Sequence, residues 1–297
     1  MADVLATGLV VAGYGRHYIV EAPDGVRLIC HPRGKKSDCV VGDRVGWKPS
    51  GDAGVIEQVQ ARRNLLFRRD EWKTKAFASN LDQMLLMVAA EPVFSESQLA
   101  RALIAAESSG ISAGIVLNKT DLPQIDAARA RLAPYAAMGY PVFEVGLKSR
   151  PDAARALLTP MLAGRASLVL GPSGTGKSTL INLLAPDARA QVGEISQALN
   201  SGRHTTTATQ WYWLDAQRST GLIDSPGFQE FGLKQIEAGQ LARLMPDLRE
   251  PSTQCRFYNC THQQEPGCGV RDAVQRGDIG ESRYRIYGEI LREVGRT

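Results

Sequence analysis

The stretch SLVLGPSGTGKSTLINLL, residues 167–184, constrains the fold of this chain more than any other. An apolar run, a loop of the form G-x-x-x-x-G-K-S and a second apolar run read as strand, phosphate loop and helix. Glycines at 171, 174 and 176 let backbone N–H groups close round phosphate oxygens, where a side chain would block approach. The loop also opens a helix, whose N-terminus favours anions. Lys177 is set to reach the β- and γ-phosphates and Ser178 to offer its hydroxyl to Mg²⁺, while Pro172, Ser173, Thr175 and Thr179 complete the loop. This is a nucleoside triphosphate site. The loop does not choose between ATP and GTP.

The surroundings fit. From about residue 80, the apolar runs QMLLMVAA, AGIVLNK, PVFEVG and ASLVLG alternate with the helical stretches ESQLARALIAAESSG and IDAARARLAPYAAMG. Near-continuous apolar strands between amphipathic helices mean a parallel sheet covered on both faces. TQWYWLD and RSTGLIDSP supply two further strands beyond the loop. Before residue 60 the pattern is different: TGLVVAG, HYIVEA, GVRLICH, VVGDRVGW and AGVIEQV are short strands broken by GYG, APDG, RGKKSD and PSGD. Five short strands without helical period predict a small closed barrel of the OB or SH3-like kind. The last 58 residues lose strand signal and end in a helix with Tyr284, Tyr287, Leu291 and Val294 on one face. The expected chain is multidomain: an OB-like barrel over residues 1–68, an α/β P-loop domain over 72–235 and a mostly α, zinc-binding domain over 240–297.

The choice of base comes from N-K-T-D at 118–121, at the carboxyl end of an apolar strand, where ligand sites of α/β sheets lie. Asp121 can accept from both N1–H and the 2-amino group of guanine. Adenine has an acceptor at N1 and no 2-amino group, so the carboxylate would be left unpaired against it, which makes rejection steep. Asn118 and Lys119, with Thr120 between them and Asp121, would tie this loop to the phosphate loop and cover the base. Asp224, in LIDSPGFQEFG, would hold Mg²⁺ through water, and the Gly227 N–H would sense the γ-phosphate. Between these motifs VGEISQALNSGRHTTTATQ is polar and Thr-rich, like a switch segment ordered by γ-phosphate and Mg²⁺; Thr206 is the favoured metal contact among its three threonines.

Five cysteines, three of them within residues 255–268, suit metal binding in a reduced compartment better than a disulfide framework. Cys255, Cys260, His262 and Cys268 form C-x4-C-x-H-x5-C, a complete tetrahedral zinc set with no position left for water, hence structural. Cys30 and Cys39 read as buried small hydrophobes. Most of the net charge of +4 lies in residues 1–70, which hold 11 Lys/Arg against 8 Asp/Glu. Arg33, Lys35 and Lys36 in one loop, and Arg62 and Arg63 where the chain leaves the barrel, are candidates for RNA phosphates, with Tyr14, His17 and Tyr18 offering rings nearby. No apolar run is long enough to span a membrane, and Asp3 with no basic residue ahead of the first apolar run argues against a secretory leader. A cytoplasmic monomer is expected.

The reversed order of N-K-x-D and the phosphate loop, with GRHTTT, DSPGFQEFGL and the terminal cysteine cluster, resembles the bacterial ribosome small-subunit-dependent GTPase A family over essentially the whole chain. The resemblance implies a circularly permuted GTPase that hydrolyses GTP to GDP under stimulation by the small (30S) ribosomal subunit. It further implies a role in late maturation of that subunit, with rRNA contacts from the barrel and the zinc module. Termini that lie close together permit such a cut and rejoining. In many GTPases a Gln follows the D-x-x-G glycine to orient water; here that position is Phe228, which can neither donate nor accept. His204 is the first choice to orient the water, and the resemblance points the same way. Gln229 is second, and Arg203 is a candidate finger in cis. One departure stands out: after PVFEV the family usually has a Ser followed by a small residue in a loop touching guanine, where this chain has Gly146 and Leu147. The rival readings are a P-loop ATPase or kinase, disfavoured by N-K-x-D, and an RNA-binding scaffold with a regulatory, non-hydrolysing GTP site.

Overall fold

The computed structural model describes residues 5–34, 38–72, 74–186, 208–226, 228 and 231–295. At the N-terminal end β1 (Ala6–Tyr14), β2 (His17–Glu21), β3 (Arg27–Pro32), β4 (Arg44–Ser50) and β5 (Ala53–Val59) pair in the order β1-β2-β3-β5-β4. β4 returns to pair with β1, closing a five-stranded barrel in which only β3 and β5 run parallel. Alternation places Val10, Val20, Cys30, Val45 and Ile56 in its core. This is the Greek-key barrel of OB type.

The barrel leads into a two-stranded ribbon, β6 (Leu65–Arg69) with β7 (Thr74–Ser79). Beyond it lie β8 (Gln83–Ala89), β9 (Ser112–Asn118), β10 (Val142–Val145), β11 (Ala166–Leu170), β12 (Gln210–Trp213) and β13 (Gly221–Asp224). They stand in the order β10-β9-β8-β11-β13-β12, parallel except for β12 at the end. β12 then meets β1 through Ala12 and Gln210, so the barrel continues the sheet. β9 precedes β11 in sequence yet stands only one strand away from it in space, which answers the reversed motif order.

Helices α1 (Glu96–Ser108), α2 (Ile125–Ala137), α3 (Pro151–Leu162) and α4 (Lys177–Leu184) cover the two faces. Met84, Leu86, Ile115, Leu117 and Leu168 belong to one core with Leu99 and Leu103 of α1 and Leu132 of α2. Their neighbours Leu85, Met87, Val116 and Val169 belong to a second core with Leu158 and Leu162 of α3 and Leu180 of α4. Burial on both faces is why these strands are apolar at every position rather than at alternate ones.

After β13 come a 3₁₀ segment (Ala238–Leu244), α5 (Pro246–Thr253), α6 (Gly269–Arg276) and α7 (Glu281–Val294). Arg283, almost wholly buried, donates to both carboxylate oxygens of Asp247 at 2.8 and 3.0 Å and lies over the Tyr135 ring of α2. A buried guanidinium requires such pairing. Among the described residues no helix is long and apolar enough to cross a membrane.

Candidate functional site

The loops at the carboxyl ends of β9, β10, β11 and β13 surround a cavity of about 800 Å³. One wall is Asn118, Lys119, Asp121 and Leu122; the other is the phosphate loop, where Gly171, Pro172, Ser173, Gly174 and Gly176 pass into Lys177, Ser178 and Thr179 of α4. Thr175 is buried beneath, its hydroxyl donating to the Pro172 carbonyl at 2.8 Å. Gly176 has φ +103°, and a Cβ there would stand 2.2 Å from Asn118 Nδ2, so this position needs glycine for conformation and for space.

Asn118 joins the two walls. Its Nδ2 donates to the Thr175 carbonyl at 2.8 Å, and its Oδ1 accepts from the Leu147 N–H at 3.1 Å. Lys119 adopts a left-handed backbone, φ +63°, uncommon without glycine, and its Nζ donates to the Glu91 carbonyl at 2.5 Å. Thr120 does not line the cavity; its N–H donates to the Val145 carbonyl. Asp121 is exposed to the cavity and accepts from the Ser149 hydroxyl at 2.9 Å. Across the cavity, Lys177 Nζ is paired with the buried Asp224 carboxylate at the end of β13. Pro226 and the buried Phe228 close that end, and the Pro226 carbonyl accepts from Lys75 Nζ of β7 at 2.7 Å.

Arg203, His204, Thr206, Gly227 and Gln229, together with Lys35 and Lys36, lie outside the described residues. Gly146 and Leu147 stand out in the sequence only as a departure from the family pattern, and Lys148 and Ser149 beside them carry no motif that picks them out. The signal that could have found them is the one that found N-K-x-D: they too follow the carboxyl end of a parallel strand.

The cysteine cluster is assembled. One ligand atom each from Cys255, Cys260, His262 and Cys268 lie within 4.8 Å of one another. The two thiols of Cys255 and Cys268 stand 3.4 and 3.5 Å from His262 Nδ1 and 3.9 Å apart. Bonds of about 2.3 Å to sulfur and about 2.0 Å to nitrogen in a tetrahedron separate ligand atoms by roughly 3.5–3.8 Å, so the group fits a metal ion. The loop is held from outside: Tyr284 and Tyr287 of α7 donate to the carbonyls of His262 and Thr261 at 2.6 and 2.9 Å. Burial pushes the Cys260 thiol up to about 12 and the His262 imidazole down, so a cation binding there would displace the Cys260 proton and meet a neutral imidazole.

On the barrel, Arg33 is mostly exposed and meets Glu57 at 2.6 Å. Arg62 is otherwise engaged, donating to both oxygens of the wholly buried Asp43 at 2.7 and 2.8 Å. Arg63 pairs with Asp82 and the Asn80 carbonyl. Tyr18 does not offer its ring to solvent: it is buried in the barrel, because β2 turns that position inward. Tyr14 accepts from Gln210 Nε2 at 2.6 Å, and His17, exposed, lies edge-on to His31.

The model of the RsgA GTPase family matches residues 59–234, more than half of the chain. The chain belongs to that family. It is 58% identical over 301 residues to the small ribosomal subunit biogenesis GTPase RsgA of Variovorax paradoxus strain S110, with all of this chain and 95% of the relative covered. To the protein of that name from Burkholderia pseudomallei strain K96243 it is 53% identical, with 97% and 92% covered. The crystal structure of YjeQ from Thermotoga maritima superposes with a TM-score of 0.73 at 30% identity, over 98% of this chain and 99% of that one. YloQ, described as a circularly permuted GTPase, gives 0.71 at 26% identity over 99% and 96%. The RsgA family member described here is thus a GTPase with the permuted fold, a closed barrel ahead of it and a Cys₃His group behind.

Proposed function

We propose that this chain binds GTP in the cavity between N-K-x-D and the phosphate loop and hydrolyses it to GDP on the small ribosomal subunit, in the maturation of that subunit. One observation carries the nucleotide reading: Asn118 bridges the base-side loop to the Thr175 carbonyl of the phosphate loop, so both motifs serve one site. The names of the relatives support the ribosomal part.

In this reading Asp121 accepts from guanine, the 171–176 backbone and Lys177 neutralise the phosphates, and Gly227 contacts the γ-phosphate. Ser178, Asp224 and Thr206 would hold Mg²⁺, which supplies charge neutralisation on the β- and γ-oxygens; the buried Asp224 carboxylate, already beside a cation, suits that task. The Cys₃His group would hold one structural Zn²⁺. Because Phe228 is buried and apolar, His204 orients the attacking water, with Gln229 and Arg203 as the next candidates. RNA contact by the barrel rests on the loop of Arg33, Lys35 and Lys36 rather than on Arg62, whose guanidinium is committed to Asp43.

The test is GTP turnover by the purified protein with and without 30S subunits, for wild type and His204→Ala. Slow turnover that the subunit accelerates in wild type and hardly at all in the variant is expected. A protein that binds GTP but never hydrolyses it, with or without the subunit, would be the regulatory scaffold instead.

A further inference from the structure

Asp121 is exposed, and a free carboxylate turns readily about its last torsion, whose energy profile is broad. Reading N1–H and the 2-amino group together demands one orientation of its plane. Among the described residues, the hydrogen bond to Asp121 comes from Ser149, at 2.9 Å. Ser149 reaches it because the chain after β10 folds into a tight turn, closed by the Arg150 N–H on the Gly146 carbonyl at 2.7 Å, before Pro151 starts α3.

The Ser149 hydroxyl can sit in that turn as it does only because residue 146 is glycine. A Cβ on Gly146 would lie 2.4 Å from Ser149 Oγ, and 3.4 Å from the Thr120 hydroxyl oxygen. Gly146 is not in a left-handed conformation, so its need for glycine is a matter of space alone. The Ser149 hydroxyl occupies the volume that a side chain at 146 would fill, and from there it donates to the carboxylate. The Leu147 N–H of the same turn is fixed on Asn118, so the turn is anchored to the strand end that carries Asp121.

We infer that Ser149 is a positioning residue for guanine selectivity: its hydroxyl orients Asp121 toward the base, and Gly146 is the vacancy of side chain that lets it do so. This rests on the reading of Asp121 as the base-recognising carboxylate. Holding the carboxylate in advance removes part of the ordering cost of binding, and the range typical for one immobilised side chain corresponds to roughly three- to tenfold in affinity. The gain falls mostly on guanine, which engages both oxygens. Hypoxanthine, lacking the 2-amino group, gains less.

The experiment is calorimetric titration of the full-length protein with GDP and with IDP. Ser149→Ala should weaken GDP by about three- to tenfold and narrow the GDP-to-IDP ratio, whereas Ser149→Thr, keeping the hydroxyl, should stay near wild type. Gly146→Ala should reproduce the effect by displacing the hydroxyl. Combined with Ser149→Ala it should add little more, because both remove one interaction. Asp121→Ala separates the two levels of the argument. If it leaves GDP affinity unchanged, the base-reading assignment itself falls. If it weakens GDP while Ser149→Ala matches wild type in affinity and in ratio, only the positioning role is overturned. An additive double variant would likewise overturn it, by showing that the two residues act separately.

Discussion

Asn118→Ala removes two hydrogen bonds from inside the protein and gives a direct measure of how base loop and phosphate loop depend on each other. Asn118 is 4% exposed, Thr175 1% and Leu147 3%, so both stranded groups, the Thr175 carbonyl and the Leu147 N–H, are buried. An unsatisfied buried group costs about 1–3 kcal/mol. The adjoining cavity admits water, which favours the lower end for each, so the pair amounts to about 2–3 kcal/mol. Because the lost contacts join loops rather than core elements, the cost falls on the fraction of molecules holding both loops in place. Apparent affinity scales with that fraction. A penalty of that size therefore weakens GDP binding by roughly 30- to 150-fold. Titration of GDP measures it, and hydrogen exchange locates it: the Leu147 amide should lose protection while the amides of β8 keep theirs. GDP affinity within about threefold of wild type would refute the reasoning, since a staple that can be removed without effect couples nothing.

Two further outcomes are expected. The purified protein should carry one zinc per chain by elemental analysis, and chelation should unfold the 255–268 loop while leaving GDP binding largely intact; protein prepared without chelators and found free of zinc removes that assignment. Neutralising Arg33, Lys35 and Lys36 together should weaken binding to the small subunit and lower its logarithmic salt slope by about 2–3, the release expected for three phosphate contacts. The Arg33–Glu57 pair is an exposed ion pair of little strength and does not compete. An unchanged slope would mean the loop is merely solvated.

What was legible in the sequence was local. The phosphate loop, N-K-x-D and the cysteine spacing are each written within about a dozen residues, and the two-faced burial of β8, β9 and β11 shows in their unbroken apolar runs. What escaped depends on contacts between distant residues. The segment where the chain leaves the barrel reads as basic charge, yet LLFRR within it pairs with TKAFAS as β6 and β7. Arg62 read as surface charge, although Asp43, 19 positions earlier, is buried and requires it. Ser149 carries no motif of its own, and its use shows only once the turn beside it is folded.

The contacts of residues 231–234 show why the permuted order matters physically. Phe231 stacks on Phe77 of β7 with ring centroids 5.4 Å apart, and its carbonyl accepts from Arg101 of α1. Arg101 also pairs with Glu293 of α7 at 2.6 Å, and Glu293 accepts from the Leu233 N–H. Leu233 bridges Arg69 of β6, and the Gly232 carbonyl and Lys234 N–H bond to the Arg69 backbone. A few residues beyond Asp224, the chain is therefore held at once by the ribbon that leaves the barrel and by α7, the helix that packs on the Cys₃His loop. In an unpermuted order this stretch would run on into the remaining strands of its own domain. Cutting the fold here leaves it to the neighbours on both sides. Residues 231–234 thus contact both the ribbon that leaves the barrel and the helix that packs on the Cys₃His loop, the kind of shared contact that coupling between them would require.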